Sequence, residues 1–254
     1  MLSALIIILR EVLEAGLIIS ALLAAARIKN IASYQLTLGI GGGIVGALII
    51  SWKMNSISNF GDGVGQEILN ASLDFGIIAM LAGSSTSELF NDGRSLLGWC
   101  AAGAIACAVS REFSEIVIYA SGFSTSFSAF MPVLIGGIIG IGIGLSVGAL
   151  LYYLLVYQPP KRALFITSTL LALIAAGMGA EAIGYLDQAG LITAQPPFWN
   201  TTRWVAEDSV GGQLLHALIG YEATPTPLQL SIYMGIFLFI SALGWLHGNT
   251  ERKA

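Results

Sequence analysis

The chain has 254 residues, of which 56% are hydrophobic and 10% are charged, with a formal net charge of −4 and a mean hydropathy of +0.80. A composition this apolar is typical of integral membrane proteins and argues against a soluble domain. The apolar composition makes the lipid bilayer the expected partner. The lysines and arginines form no basic patch, so we expect no binding of nucleic acid.

Apolar stretches of about 20 residues, the length that crosses a bilayer, predict seven transmembrane helices. The predicted spans are 2–25, 34–53, 67–87, 97–121, 131–156, 164–186 and 228–247. The first stretch lacks the positively charged start of a secretory signal, so we expect it to remain as the first helix. We therefore expect residues 1–254 to form a single all-α transmembrane domain.

Basic residues outside the membrane indicate the orientation of these spans. Only Lys53 and Arg203 fall on one side. The other side collects Arg27, Lys29, Arg94, Lys161, Arg162, Arg252 and Lys253. Because positive loops usually stay in the cytoplasm, the amino terminus is predicted outside and the carboxyl terminus inside.

Two charged motifs interrupt the apolar pattern at 10–14 (Arg-Glu-Val-Leu-Glu) and 111–115 (Arg-Glu-Phe-Ser-Glu). A charged residue at the centre of a membrane helix costs roughly 2.5–3.5 kcal/mol on insertion scales. Six such residues in two matched sets therefore indicate a functional site. Within each set the three charges share about one face of the helix, because they are spaced three and four residues apart.

The offset of 101 residues between the motifs also separates several glycines, which indicates an internal repeat. Residues 1–95 and 96–190 are predicted to be two homologous halves of three helices each. An odd number of crossings makes the second half inverted relative to the first, as in many secondary transporters. Residues 191–254 then supply an outer loop, a short interfacial helix and the seventh span.

The motif glutamates Glu11, Glu14, Glu112 and Glu115 are the candidate metal ligands. Their carboxylate oxygens suit hard cations such as iron(III), magnesium, calcium or manganese. Arg10 and Arg111 would hold the empty carboxylates together by bidentate pairing. The alternative is that each arginine simply forms a structural salt bridge with the second glutamate of its own motif.

The two Arg-Glu-x-x-Glu motifs in helices 1 and 4 resemble those of the oxidase-dependent iron transporter family, the high-affinity iron permeases of fungi and bacteria. The segments 208–215 and 220–225 are similar to the stretch before the last helix of bacterial members. The resemblance covers nearly the whole chain. It implies iron as the transported substrate, no permanently bound cofactor, and in many relatives an oxidase or extracytoplasmic partner that delivers iron(III).

This sequence has Val12 and Phe113 where many members carry glycine, which bears on the local width of the path. Three further acids, Asp74, Glu181 and Glu67, are secondary candidates that would extend the metal path or take up protons. His216 lies in the predicted interfacial helix, which Asp208 or Ser209 would cap. A lone histidine there is predicted to be polar lining, and guidance of a metal ion is the alternative.

The function expected is therefore that of a permease, not an enzyme, in a cell membrane that is bacterial rather than eukaryotic. Transport of manganese or lead, or a non-transporting metal sensor, are the alternatives. Glycine stripes in helices 2 and 5 favour tight packing within the monomer, and a homo-oligomer stays an alternative use of them.

Overall fold

The computed structural model describes residues 1–86, 93–123, 127–207 and 209–250, and these residues form helices and no strands. A 3₁₀-helix, Phe60–Gly63, precedes the third α-helix. The α-helices are α1 (Leu2–Ile28), α2 (Ser33–Ser58), α3 (Gly65–Thr86), α4 (Gly93–Ser121), α5 (Phe127–Val156), α6 (Pro160–Gln188), α7 (Val210–Ile219) and α8 (Pro227–Thr250). The predicted residues Asp208, Arg252 and Lys253 lie outside the described ranges.

Each predicted span coincides with a long helix, and together these are α1 to α6 and α8. Helices of 22 to 30 residues are about 33 to 45 Å long, enough to cross a bilayer. Four of them, α2, α3, α5 and α6, are also apolar enough to qualify as spans by length and composition. The other long helices fall outside this set, α1 and α4 because their motifs add charges and α8 because its described apolar stretch, Pro227–Leu243, is shorter.

The helices pack in pairs that match across the two predicted halves. The most extensive contacts join α1 to α5 and α2 to α4, and further contacts join α3 to α6 and α1 to α4. If helices 1, 2 and 3 are exchanged with helices 4, 5 and 6, the pair α1 with α5 becomes the pair α4 with α2. The pairs α3 with α6 and α1 with α4 stay the same. The motif helices α1 and α4 therefore meet near the middle of the bundle.

Glycines of α2 and α5 make the same close approaches to the backbones of α4 and α1. A Cβ atom would lie 2.5 Å from the Ala102 oxygen if added to Gly39, and 2.5 Å from the Met1 oxygen if added to Gly136. Ala102 and Met1 are 101 residues apart, yet the two glycines are 97 apart. The offset between equivalent residues is therefore 101 for α1 and α4 but 97 for α2 and α5. The difference of four residues is about one helical turn.

The glycine stripe of α5 is thus a contact within the chain, as favoured from the sequence. Gly140 repeats the pattern of Gly43, since an added Cβ would lie 2.9 Å from the Leu5 oxygen in the first case and from the Ala106 oxygen in the second. Only glycine allows helix backbones to approach this closely.

The short helix α7 forms as predicted and packs one face against α6 and α1, with Gly212 and Ala217 buried and Val210, Leu214 and Ile219 exposed. The Ser209 hydroxyl accepts a hydrogen bond of 3.0 Å from the Gly212 amide, which caps the helix. At its end Gly220 adopts a left-handed conformation with φ 64° and packs directly against Gly177 of α6. Gly177 is eleven residues from the end of α6, about 16 Å along its axis, so α7 reaches well down the bundle.

Candidate metal-ion site

The first motif lies on the face of α1 that turns toward α4 and α6. Glu11 and Glu14 are buried, with 5% and 7% of their surfaces exposed, whereas the Arg10 side chain is 38% exposed. The Arg10 Nε donates to Glu14 Oε1 over 2.8 Å, which is the intrahelical pair expected from the spacing. A second nitrogen of Arg10 lies 3.7 Å from Glu181 Oε1.

The second motif is buried more deeply, and Arg111 donates its hydrogen bonds to acids outside its own motif. Arg111 is 1% exposed and donates over 2.5 Å to Asp74 of α3 and over 2.5 Å to Glu181 of α6. The Tyr185 hydroxyl donates to the same Glu181 oxygen over 3.1 Å. Asp74 and Glu181, secondary candidates from the sequence, are thus brought to the centre as partners of Arg111.

Glu115 does not join the other three motif glutamates and pairs with a residue of α3 instead. Its Oε1 accepts a hydrogen bond of 3.0 Å from the Asn70 amide on α3, and Arg111 is not its hydrogen-bond partner. The structural salt bridge weighed from the sequence therefore forms in the first motif only. Glu67, at the start of α3, is not part of the central cluster described below, although its Oε2 is buried without a hydrogen bond among the described residues.

Three glutamates from the two motifs converge between α1 and α4. Single carboxylate oxygens of Glu11, Glu14 and Glu112 all lie within 4.8 Å of one another, and all three residues are buried. Both oxygens of Glu112 lack a hydrogen-bond partner in the described part of the chain, and Arg111 Nε lies 3.6 Å from Glu112 Oε1. Buried carboxylates at this spacing can share a cation, which would supply the missing partner.

The bulky residues that replace the usual motif glycines are accommodated on other helices. Val12 packs against Gly144 of α5, where an added Cβ would lie 2.9 Å from the Val12 Cβ. Phe113 is partly buried against the hydrophobic core. The glycine on the facing helix thus provides the space that Val12 takes up.

A second group of possible ligands was missed by the sequence reasoning. Atoms of Glu14, Glu181 and His216 also lie within 4.8 Å of one another, and all three residues line one open pocket. The spacing of residues along the chain gives no signal for this group, because its members come from α1, α6 and α7. Only the packing of Gly220 against Gly177 places His216 beside the acids.

The charge balance of the centre favours a cation. Six acids, namely Glu11, Glu14, Asp74, Glu112, Glu115 and Glu181, surround two arginines, Arg10 and Arg111. If every carboxyl group is ionised, six negative and two positive charges leave a net charge of −4. A cation that entered would reduce this imbalance in a region of low dielectric, where each charge counts for more.

Comparison with known proteins gives relatives along nearly the whole length. No family model matches the chain, and no solved structure matches it. A ferrous iron permease EfeU of Yersinia pestis is 26% identical over 259 residues, covering 90% of this chain and 87% of the relative. The ferrous iron permease EfeU of Yersinia pseudotuberculosis is 27% identical and covers 90% and 86%. The chain is thus similar over most of its length to proteins named as ferrous iron permeases, and its long apolar helices mark it as a multi-pass membrane protein.

Proposed function

We propose that this protein carries iron into the cytoplasm through the paired glutamates of α1 and α4. The observation that carries the proposal is Glu112, whose two buried oxygens have no hydrogen-bond partner in the described residues and lie beside Glu11 and Glu14. An unpaired buried carboxylate is costly unless it binds something. The relatives named as ferrous iron permeases indicate which ion that is.

The membrane arrangement in this proposal has seven crossings and an external amino terminus. The seven long helices and the one-sided distribution of basic loops support it. Two inverted halves are supported by the matching pairs, α1 with α5 and α2 with α4. In inverted repeats the binding site lies where the halves meet, which here is the contact of α1 with α4.

In the absence of iron, the two arginines stabilise the acids. Arg10 pairs with Glu14, and Arg111 holds Asp74 and Glu181 together. A divalent cation that binds Glu11, Glu14 and Glu112 would change the charge balance of the centre from −4 to −2. Arg10, the more exposed arginine, is the one that would release its glutamate oxygen as the ion arrives.

The membrane potential is sufficient to drive an inward movement of this kind. An inside-negative potential contributes roughly 2.3 kcal/mol per elementary charge per 100 mV, hence about 4.6 kcal/mol for a divalent ion. Alternating exposure would arise from one half tilting against the other. The close glycine contacts of α5 on α1 and of α2 on α4 give each half smooth surfaces for such a movement.

The test is uptake of radiolabelled iron(II), kept reduced by ascorbate, into proteoliposomes with an imposed inside-negative potential. Glu112→Gln keeps the size of the side chain but removes its charge, and we expect it to lower the initial rate about tenfold or more. Asp62→Asn is the matched control, because Asp62 is exposed in the 3₁₀-helix far from the site in sequence. Uptake by Glu112→Gln at the rate of the control would contradict the proposal.

The same assay distinguishes the ion and the need for a partner. Manganese(II) and lead(II) are added as competitors, and iron(III) citrate replaces iron(II) in a parallel series. Uptake of iron(II) by the protein alone would mean that no oxidase is needed for transport. Uptake of manganese or lead in preference to iron would instead assign the permease to those cations.

A further inference from the structure

The orientation of His216 is fixed by the backbone of the loop that follows α7. His216 Nδ1 lies 2.9 Å from the Tyr221 carbonyl oxygen. A carbonyl oxygen only accepts hydrogen bonds, so Nδ1 must carry the proton. In the neutral ring the other nitrogen, Nε2, then presents a lone pair, which is the form that binds metal ions.

That lone pair points toward two carboxylates. His216 Nε2 lies 3.9 Å from Glu181 Oε2 and 4.0 Å from Glu14 Oε1. Three atoms that can all act as acceptors face one another at distances too long for hydrogen bonds and short enough to surround an ion. Glu14 Oε1 already accepts from Arg10 and the other oxygen of Glu181 from Arg111, so a metal cation that bound all three atoms would displace Arg10 from Glu14.

The loop holds the imidazole rigidly. The Tyr221 hydroxyl donates to the Val205 carbonyl over 2.9 Å and lies 2.7 Å from the Thr201 hydroxyl. The Ala223 amide donates to Glu207 Oε1 over 2.5 Å. These contacts fix the Tyr221 carbonyl, which in turn fixes the histidine tautomer, an arrangement typical of metal-binding histidines.

Two of the three residues are also partly exposed. His216 is 23% exposed and Glu181 is 14% exposed, and both line the pocket together with Glu14, Gly177 and Gly220. The two glycines contact each other, so the pocket wall there has no side chains. Glu112, by contrast, is 1% exposed, so the pocket lies on the more accessible side of the paired glutamates.

We propose that Glu14, Glu181 and His216 form a second cation subsite, selective for divalent transition metals, which hands its ion to the paired glutamates through the shared Glu14. The identity of the cargo rests on the proposed iron transport, whereas the subsite itself rests on the geometry of the three residues. An imidazole ligand favours iron(II), cobalt(II) or zinc(II) over calcium and magnesium, which prefer oxygen ligands alone. The histidine therefore supplies a selectivity that four glutamates lack.

The experiment measures binding rather than transport, on the full-length protein in detergent under anaerobic conditions. Iron(II) affinity is obtained by titration, and X-ray absorption reports whether the bound iron has an imidazole ligand. In His216→Gln we expect the imidazole signal to disappear and the affinity for iron(II) to fall at least about tenfold, while calcium affinity stays within about twofold. His247→Gln is the matched control, since the chain has only two histidines.

A third variant separates this inference from the proposed transport route. Glu112→Gln removes a paired glutamate that is not part of the subsite, so its iron should keep the imidazole ligand even though uptake fails. Loss of uptake in Glu112→Gln with an intact imidazole signal supports both proposals, and normal uptake with that signal contradicts the transport route only. Iron without an imidazole ligand in the native protein, or an unchanged signal in His216→Gln, would overturn the subsite and leave His216 as an ion-pair partner of the two acids.

Discussion

At the scale of single residues, the two motif arginines differ although their sequences match. Arg10 is partly exposed and makes one short contact, with Glu14. Arg111 is fully buried, and its two terminal nitrogens each hold an acid from a different helix. Since a guanidinium group spans two acceptors in a way that an ammonium group does not, the second motif depends on arginine more strongly than the first.

We predict that Arg111→Lys destabilises the protein much more than Arg10→Lys. Lysine at 111 would leave one of Asp74 and Glu181 buried without its partner, and breaking a buried pair costs about 3–5 kcal/mol. Arg10→Lys should cost about 1 kcal/mol or less, because the side chain is partly exposed to solvent. Thermal unfolding of both variants in the same detergent measures the difference, and equal melting temperatures would contradict the assigned partners.

At the scale of helices, the packing of α2 on α4 and of α5 on α1 depends on glycines at which a larger side chain would not fit. Gly39 and Gly43 of α2 lie against the α4 backbone, as Gly136 and Gly140 of α5 lie against α1. Gly142 lies between the contact positions Gly140 and Gly144 and has open space around it, so it provides a comparison within the same helix.

We predict that Gly140→Ala destabilises the fold by roughly 1–3 kcal/mol, the usual cost of overpacking. The added Cβ would lie 2.9 Å from the Leu5 oxygen, which is backbone and can move only with the whole of α1. Gly142→Ala is the control and should be neutral or slightly stabilising, because alanine favours helix formation. A lower melting temperature for Gly142→Ala than for Gly140→Ala would contradict the close contact of α1 and α5.

The loop between α6 and α8 contains an acid whose ionisation opposes folding. Burial raises the pKa of Glu222 above its ordinary value, although Gln229 Nε2 donates to its Oε1 over 3.0 Å. A carboxyl group with a raised pKa in the folded state contributes its full stability below its unfolded pKa. That contribution is lost as the pH rises through the folded pKa.

Glu222→Gln keeps the acceptor oxygen for Gln229 and cannot ionise. We therefore expect the variant to melt at a higher temperature than the native protein at pH 8 and at about the same temperature at pH 4. Melting curves over this range, with Glu67→Gln as a second carboxyl variant for comparison, test the sign. A difference that grows toward low pH would contradict the effect of burial.

At the scale of the whole molecule, the orientation can be tested in cells. After Cys100 and Cys107 are replaced by alanine, single cysteines are placed at Asp62 and at Tyr157, two exposed positions in predicted opposite loops. A membrane-impermeant maleimide should label the cysteine at 62 in intact spheroplasts and the cysteine at 157 only after the membrane is permeabilised. Labelling in the reverse order would invert the proposed topology.

Periodicity and motif spacing predicted the seven long helices and a meeting of all four motif glutamates, because both depend on patterns within a helix or on the repeat. Three of the four meet, whereas Glu115 bonds Asn70. The partners of Arg111 and the position of His216 could not be predicted in this way. Asp74, Glu181 and His216 come from three different helices, and their meeting depends on how far each slides along its neighbours. The shift from 101 to 97 residues between the halves is a change of this kind, about one turn of helix, which leaves the helix face unchanged.

Glu14 belongs to two groups of possible ligands, one with Glu11 and Glu112 and the other with Glu181 and His216. If Glu14 binds one ion at a time and does not bridge two, an ion held by one group withdraws a ligand from the other. Occupancy is then limited to one ion in each transport cycle, and uptake should follow a simple hyperbolic dependence on iron concentration, with a Hill coefficient near one. On the proposed transport route, high external iron would not drive a second ion in behind the first, and the rate of uptake would be limited accordingly.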